Sequence, residues 1–272
     1  MEERKWEELN MDCLVNIFGR VGMMSLLFDV SLVCKSWYTA TLNPLCWQHL
    51  IFPPDILDSI RSRLVYKNGM IRFDEPGFIK FVISRSGGFA VKLVLPDDYA
   101  REALVCVAEG CPALKYLTLP NNFWEDMSII PSLISKWKNL EMLRLGSSSN
   151  MEAILTQVSI HCNNFVGLGI SGAYIGENKA CVLVTLLPNI KYLALRQASL
   201  KRENLVTILE GCKKLVFFDA RDCVGFECDD EILNLASHIP TFMYEGSREW
   251  SDDENFYSIS PDPDVYGGYN SG

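Results

Sequence analysis

The chain has 272 residues, of which 49% are apolar and 22% are charged, the composition of a folded globular protein with one large or two smaller domains. Its formal net charge of −9 provides no basic stripe for neutralising phosphates, so we expect no nucleic acid partner. The charged N-terminus lacks the apolar segment of a secretory signal, and no run of about 20 apolar residues predicts a membrane partner.

Ten cysteines raise the question of disulfides or zinc. The sequence contains no CxxC motif, and its three histidines show no ligand spacing, so we predict no metal and no disulfide. We interpret the cysteines as reduced side chains of the core, because a free cysteine packs as a small hydrophobe.

The N-terminal block is poor in charge and shows helical periodicity. Only four of the 41 residues from 10 to 50 are charged. Two segments each place apolar side chains on one predicted helical face: Cys13, Leu14, Ile17, Phe18 and Val21 in the first, and Leu26, Leu27, Val30, Val33, Cys34 and Trp37 in the second. A separate domain of this size exposes much apolar surface, which usually marks a partner site.

The stretch "WEELNMDCLVNIFGRVGMMSLLFDVSLVCKSWYTATLNPLCWQHL" resembles an F-box. The family pattern begins with Leu-Pro, continues through a Leu-Leu/Ile-Phe helix and a Val-Cys-Lys-x-Trp segment, and ends with Leu-Trp. Two departures stand out: Asn10 replaces the usual proline, and Cys46 separates Leu45 from Trp47. Asparagine is also accepted at a helix start, as a cap.

The resemblance implies a three-helix domain that binds a Skp-type adaptor. The residues that it implies carry or support this binding are Leu9, Leu14, Ile17, Leu26, Leu27, Val33, Lys35 and Trp37. The alternative interpretation is a small helical cap on the segment that follows.

Residues 53–74 are predicted to form a connecting helix. Pro53 and Pro54 mark the boundary, and Ile56, Ile60 and Leu64 have helical spacing. The next segment, "PGFIKFVISRSGG", predicts a helix that ends at the two glycines.

A repeat occupies the rest of the chain to residue 245. The template L-x-x-L-x-L, whose positions we number 1 to 6, fits seven times with substitutions, beginning at residues 90, 114, 140, 165, 190, 215 and 239. A period of 24 to 26 residues with this motif is typical of leucine-rich repeats. Positions 4 and 6 predict one face of a strand, and amphipathic stretches such as "ENLVTILEGC" predict helices between strands.

Cysteines recur at the corner before every second strand of this series. Cys111, Cys162 and Cys212 precede template position 1 by three residues. We expect buried side chains there, after helices that end with Gly110 and Gly211 in a left-handed turn. These cysteines resemble those of the cysteine-containing class of leucine-rich repeats.

Template positions 3, 5 and 7 are predicted to point away from the core. Their aromatic, methionine and charged members form the predicted target-binding face: Tyr116, Met142, Arg144, Tyr192, Arg196, Phe217, Asp219 and Arg221. Gly167 and Gly169 are expected to leave a shallow gap in this row. The alternative interpretation is a set of ordinary solvent-exposed strand residues.

Residues 246–272 show no repeat and carry six acidic residues against one arginine, so we predict a disordered acidic tail. No motif of a nucleotide site, a metalloprotease or a serine hydrolase is present, and we predict no enzyme and no cofactor.

The sequence thus predicts an α/β protein: a three-helix F-box (1–52), a linker (53–74), a leucine-rich-repeat solenoid (75–245) and the tail (246–272). The solenoid is expected to be an open arc of about seven units, with parallel strands on its concave side and helices outside. The overall resemblance, to short plant F-box/leucine-rich-repeat proteins, implies the non-catalytic substrate receptor of a Skp–cullin–F-box ubiquitin ligase.

Such a receptor would bind a target protein and, through the adaptor, the cullin and RING subunits, in the nucleus, the cytoplasm or both. The alternative is a leucine-rich-repeat scaffold that acts outside a ligase.

Overall fold

A computed structural model describes residue 6 and residues 9–53, 56, 60, 74–96, 99, 101–119 and 127–250. The chain divides into two compact units, which we call the N-terminal unit (Met1–Asp126 with Leu133–Leu140) and the C-terminal unit (Met127–Ser132 with Glu141–Gly272).

Short helices form the first part of the N-terminal unit. They are α1 (Met11–Phe18), α2 (Met23–Phe28), a 3₁₀ turn (Val30–Leu32), α3 (Lys35–Thr41) and a second 3₁₀ turn (Pro44–Trp47). The prediction of one amphipathic helix face from Leu26 to Trp37 is wrong, because the chain leaves the helix at Asp29 and again at Cys34, which is extended. Short polar side chains cause such breaks by competing for backbone groups: the Ser31 hydroxyl donates to the Leu27 carbonyl (3.0 Å).

Three parallel strands complete this unit, with helices between them. The strands are β1 (His49–Ile51), β2 (Lys92–Val94) and β3 (Tyr116–Leu119), and the helices are α4 (Glu75–Arg85) and α5 (Arg101–Gly110). Leu50, Leu93 and Leu117 are paired across the three strands.

Strand β1 lies inside the predicted F-box domain and was not predicted. Its sequence signal is present, since Trp47, Leu50 and Phe52 occupy template positions 1, 4 and 6 and are all buried. The predicted boundary after residue 52 therefore does not separate the helical domain from the sheet. The predicted linker (53–74) falls mostly outside the described residues. Ile56 and Ile60 are helical and buried.

The C-terminal unit repeats a strand and a helix. Its main strands are β4 (Met142–Leu145), β5 (Gly167–Ile170), β7 (Tyr192–Ala194), β9 (Phe217–Asp219) and β10 (Thr241–Met243). Its longer helices are α7 (Met151–His161), α8 (Glu177–Leu186) and α9 (Arg202–Gly211), and the short helices α6 (Ile130–Leu133) and α10 (Asp230–Leu235) lie towards its ends in sequence. Two 3₁₀ turns of this unit are Met127–Ile129 and Ala236–His238, and a further one, Ile134–Lys136, belongs to the N-terminal unit.

In this unit the strands pair in the register that the sequence template predicts. Position 4 of each repeat is paired with position 4 of the next, in the order Leu143, Leu168, Leu193, Phe218 and Phe242. These strands are paired in parallel, and positions 4 and 6 are buried in every repeat of this unit but the last, where they are half-buried, so the predicted α/β repeat fold is confirmed.

A second parallel ladder follows the main strands and was not predicted. It contains β6 (Tyr174–Ile175), β8 (Ser199–Leu200) and single bridges at Val224 and Arg248. Small buried residues at a spacing of 25, Ala173, Ala198 and Cys223, are the sequence signal that indicates it.

A left-handed residue joins the main strand to the second ladder in each of the last four repeats. Gly172 (φ 65°), Gln197 (φ 58°), Asp222 (φ 58°) and Gly246 (φ 78°) all follow template position 1 by seven residues. The N–H of Gly172 donates to the Arg196 carbonyl (2.9 Å), and equivalent bonds follow in the next two repeats.

The predicted tail begins too early. Arg248 donates to the Cys223 carbonyl (3.1 Å) and accepts from the N–H of Gly225 (2.9 Å), so residues 246–250 close the last repeat. The sequence there is short and polar and does not indicate a strand, because this bridge depends on backbone groups alone. Residues 251–272 lie outside the described residues.

The corner cysteines are buried as predicted. Burial raises the pKa of the Cys111 thiol to about 12 and that of Cys162 and Cys212 to about 11, so all three are protonated at neutral pH. The predicted left-handed turn at Gly110 and Gly211 is wrong: neither has a positive φ.

These two glycines serve close helix packing instead. A Cβ at Gly110 would collide with Ile83 of the preceding helix, and one at Gly211 would collide with Val184. The glycine at the end of these two helices thus lets the preceding helix approach closely.

Candidate functional site

The F-box helices expose several large apolar side chains. Leu32 is 77% exposed and Val33 is 58% exposed. Those between the start of α1 and the second 3₁₀ turn, which we call the exposed F-box residues, are Met11, Ile17, Leu32, Val33, Tyr38, Leu42 and Leu45. Leu32 ends the 3₁₀ turn before α3 and Val33 follows it, so both lie between α2 and α3 and not on the buried face of either helix. Leu32 was not predicted as a site residue. The interruption of helical periodicity by Asp29 and Ser31 was the available signal.

The predicted adaptor-binding residues separate into three groups by burial. Ile17, Val33 and Lys35 are exposed, whereas Leu9, Leu27 and Trp37 are half-buried. Leu14 and Leu26 are buried in the core of the helical domain, where they can support a surface but cannot contact a partner. Trp37 packs edge-on against Phe18, with ring centroids 5.2 Å apart.

Both departures from the F-box pattern are accommodated. The Asn10 side chain accepts a hydrogen bond from the Asp12 N–H (3.0 Å), so α1 has its N-cap without proline. Cys46 is buried, and its thiol donates to the Ala40 carbonyl (3.4 Å). The extra residue lies in the 3₁₀ turn, which exposes Leu45 and buries Trp47.

The predicted target-binding residues lie on the strand faces of the two units. In the N-terminal unit, Tyr116 is exposed on β3. In the C-terminal unit, strand pairing places Met142, Gly167, Tyr192 and Phe217 in one row across the sheet. The same pairing places a second row two residues further along the strands: Arg144, Gly169, Ala194 and Asp219.

The expected gap at Gly167 and Gly169 is filled. A Cβ at Gly167 would lie 2.6 Å from Met142 Cε and 3.3 Å from Tyr192 Cβ, and one at Gly169 would lie 3.3 Å from Arg144 Cγ. The side chains of Met142 and Arg144 therefore lie across the glycine backbone. The template contains no side-chain directions, so it did not predict this lateral displacement.

Asp219 is not available to a partner as predicted. Its side chain is only 6% exposed and accepts from Nε (2.9 Å) and Nη2 (2.8 Å) of Arg221. Arg196 lies 3.9 Å from the same carboxylate and 3.3 Å from that of Asp222. The bonds from Arg221 hold the pKa of the Asp219 carboxyl below its ordinary value, against the opposing effect of burial. Asp219 thus orients two arginines that are themselves partly exposed.

Within the described ranges, no group of three or more histidine, cysteine or acidic side chains is placed to hold a metal ion. In the same part of the chain, no helix is long and apolar enough to cross a membrane.

Comparisons with known proteins identify the family. The family profile of the F-box domain matches residues 6–49. An F-box/LRR-repeat protein of Arabidopsis thaliana is 34% identical over 257 residues, which cover 89% of this chain and 75% of that protein. This chain belongs to the F-box/LRR-repeat family. F-box domains in general bind a Skp-type adaptor, and F-box/LRR-repeat proteins are typically non-catalytic.

Two further matches of this F-box/LRR-repeat protein have lower sequence identity. The F-box protein FBW2 of Arabidopsis thaliana is 24% identical over 267 residues, covering 92% of this chain and 80% of that protein. Among solved structures, internalin C2 of Listeria monocytogenes has a TM-score of 0.39 and 12% identity, covering 63% of this chain and 68% of internalin C2.

Proposed function

We propose that this F-box/LRR-repeat protein is the substrate-recognition subunit of a Skp–cullin–F-box ubiquitin ligase. Its F-box binds the Skp-type adaptor, and through it the cullin and RING subunits. The strand face of the repeats binds a target protein, which is then ubiquitinated and degraded by the proteasome. Other subunits perform the transfer, and this chain contributes proximity by raising the effective concentration of the target.

The exposed F-box residues carry this proposal. Leu32 and Val33 project from a turn between helices, and water contacts most of both side chains in the isolated chain. Apolar side chains grouped in one small domain favour burial against a partner, at about 25 cal/mol per Å² of apolar surface covered. Lys35, exposed at the start of α3, adds a charge beside this apolar pair.

The strand face supports the second half of the proposal. Tyr192 is 41% exposed, and Phe217 and Met142 are half-buried in the same row, beside the guanidinium groups of Arg144 and Arg196. Aromatic, methionine and arginine side chains are enriched at protein interfaces. This composition favours a protein target.

The proposal also places the chain in the nucleus, the cytoplasm or both. None of the ten cysteines forms a disulfide, and five of the ten are at least partly exposed. Free thiols are typical of reducing compartments.

The test is binding of a purified Skp-type adaptor to the full chain with Leu32→Asp and Val33→Asp together. We expect at least a hundredfold loss of affinity, because two buried apolar contacts would become two buried charges. The matched control is Ile160→Asp, which puts the same charge on a 60% exposed apolar side chain of the C-terminal unit. The midpoint of thermal unfolding of every variant should stay close to that of the parent chain. Unchanged adaptor binding by the double variant would refute the proposal.

The alternative, a repeat scaffold outside a ligase, was favoured in the sequence by Asn10. Because Asn10 caps α1, the helix begins without the usual proline, and this supports the ligase proposal over the alternative. The scaffold predicts a stoichiometric target complex whose abundance does not respond to proteasome inhibition.

A further inference from the structure

Strand β5 has glycine at both of its outward positions, Gly167 and Gly169. Glycine inside a strand weakens it and often marks a place where another group approaches the backbone closely. Neither glycine has a positive φ, so the turn geometry that usually requires glycine does not explain them.

The groups that lie over this backbone in the free protein are long and unbranched. Met142 covers Gly167, with Cε and Cγ 2.6 and 3.1 Å from the position of a Cβ there. Arg144 covers Gly169 in the same manner with its aliphatic stem. Side chains of this kind change rotamer at low cost, so they can move aside when a partner binds.

Arg144 differs from the other two arginines of the face. Arg196 and Arg221 are paired with Asp222 and Asp219, whereas Arg144 pairs with no carboxylate among the described residues. Its Nη2 donates only to the Ser171 hydroxyl, at 3.3 Å. Arg144 therefore keeps most of its donors and its full charge for a partner.

We propose that Gly167 and Gly169 are the floor of a slot that takes an aromatic side chain of the target, with an acidic residue beside it in an extended segment. The slot is bounded by Met142 and Arg144 on one side and by Tyr192 on the other. The inference deepens the proposed function, on which it rests, by naming the chemistry of the target.

The size and lining of the slot favour this occupant. Strands β4 and β7 lie on either side of β5, so the walls are two strand spacings apart, about 10 Å, which is wide enough for a ring. Methionine sulfur, a guanidinium plane and a tyrosine ring each make favourable contacts with an aromatic ring. The arginine without a carboxylate partner supplies the complementary charge for the neighbouring acid.

The first experiment pans a random 12-residue peptide library against the full chain. We expect enriched peptides to carry an aromatic residue within two positions of Asp or Glu. Enrichment of aliphatic or basic anchors, or of no peptide that depends on the slot, overturns the inference.

The second experiment fills the slot. Gly169→Val adds a β-branched side chain that suits a strand, and the nearest neighbour to its Cβ is the flexible stem of Arg144. We expect the thermal midpoint to be kept and the affinity for an enriched peptide to fall at least about tenfold. The matched control, Thr241→Val, places the same side chain on the exposed face of β10 and should bind as the parent does. Unchanged peptide affinity in a folded Gly169→Val variant overturns the inference.

A double-mutant cycle tests the charge without relying on the filled slot. Arg144→Gln should weaken the parent peptide about tenfold but leave a peptide with Asp→Asn or Glu→Gln unaffected. Additive effects overturn the inference. Adaptor binding is measured for every variant. If the adaptor binds and the slot tests fail, only the slot inference falls; if the adaptor does not bind the parent chain, the proposed function falls.

Discussion

The F-box and the repeats are stabilised in different ways. In the F-box the side-chain contacts follow no period: the Trp47 indole donates to the Thr41 carbonyl at 2.7 Å, and the Trp37 indole donates to the Trp6 carbonyl at 3.5 Å. In the repeats the same contact recurs about every 25 residues. The N–H of Lys191 donates to the Val166 carbonyl (2.8 Å), and the N–H of Val216 donates to the Lys191 carbonyl (2.9 Å).

This difference determines what a substitution can teach. A change in the F-box tests one contact, whereas a change in a repeat can be compared with the same position one period away. The predictions below use this contrast.

The largest effect is expected at Trp47. Trp47→Ala removes a side chain that is 2% exposed and leaves a cavity, so the free energy of unfolding should fall by about 3–5 kcal/mol. Trp47→Phe keeps most of the volume and should lose about 1–2 kcal/mol, mainly through the missing hydrogen bond. The measurement is urea denaturation of the full chain. If both variants lost the same free energy of unfolding, the packing of the Trp47 ring would not be the main source of its stabilising effect.

The next effect concerns close packing between repeat helices. Gly211→Ala should destabilise by about 1–3 kcal/mol, because the added Cβ would collide with the branched side chain of Val184. Adding Val184→Ala should restore part of the loss, in a double-mutant cycle followed by thermal unfolding. If the two changes are simply additive, the glycine has another role.

The third effect is a pH dependence at Asp219. Its folded-state pKa is lowered, so its stabilising contribution is present above the unfolded value of about 3.9 and is lost as the pH falls through the folded value. Asp219→Asn should therefore destabilise by about 1–3 kcal/mol at pH 7, and the gap to the parent should narrow below about pH 4. Thermal unfolding between pH 3 and 7 measures the gap, and a constant gap would contradict the ion pair.

The smallest effect uses one position in two repeats. Gln197 and Gly172 both have a left-handed backbone, which costs a residue with a side chain about 1 kcal/mol. Gln197→Gly should therefore stabilise by about 0.5–1 kcal/mol, and Gly172→Ala should destabilise by a similar amount. A Cβ at Gly172 meets no atom within 4 Å, so the backbone alone is tested. Changes of the same sign would show that the two turns are not equivalent.

The contrast also explains what the sequence could predict. The repeat register followed from leucines at a fixed period, because one residue of slippage would turn the buried face outward. The F-box was recognisable by residue identity, but its helical faces were not: Ile17 and Val33 were assigned to apolar helix faces and are exposed. Single polar residues such as Asp29 end short helices, and periodicity over twelve residues cannot detect that.

The sequence predicted which residues form the candidate site better than it predicted how their side chains are arranged. Position within the template located Met142, Arg144 and Tyr192 on the strand face. The pairing of Asp219 with Arg221 two residues later required side-chain directions that the template does not contain. Likewise, the glycines of β5 predict space, whereas in the structure side chains of the preceding strand β4 fill it.

Strand β1 bears on how this protein can be rearranged. The three residues that close the helical domain also donate and accept the first hydrogen bonds of the sheet, with Leu50 beside Leu93. If the F-box were moved to another receptor as a segment that ends at residue 48, it would lose β1. If the segment ended at residue 52, the repeats left behind would lose the strand that pairs with β2. The F-box and the sheet therefore meet at strand β1. Exchanging an F-box between family members requires a cut within a repeat, because no boundary between the two domains leaves β1 and β2 paired.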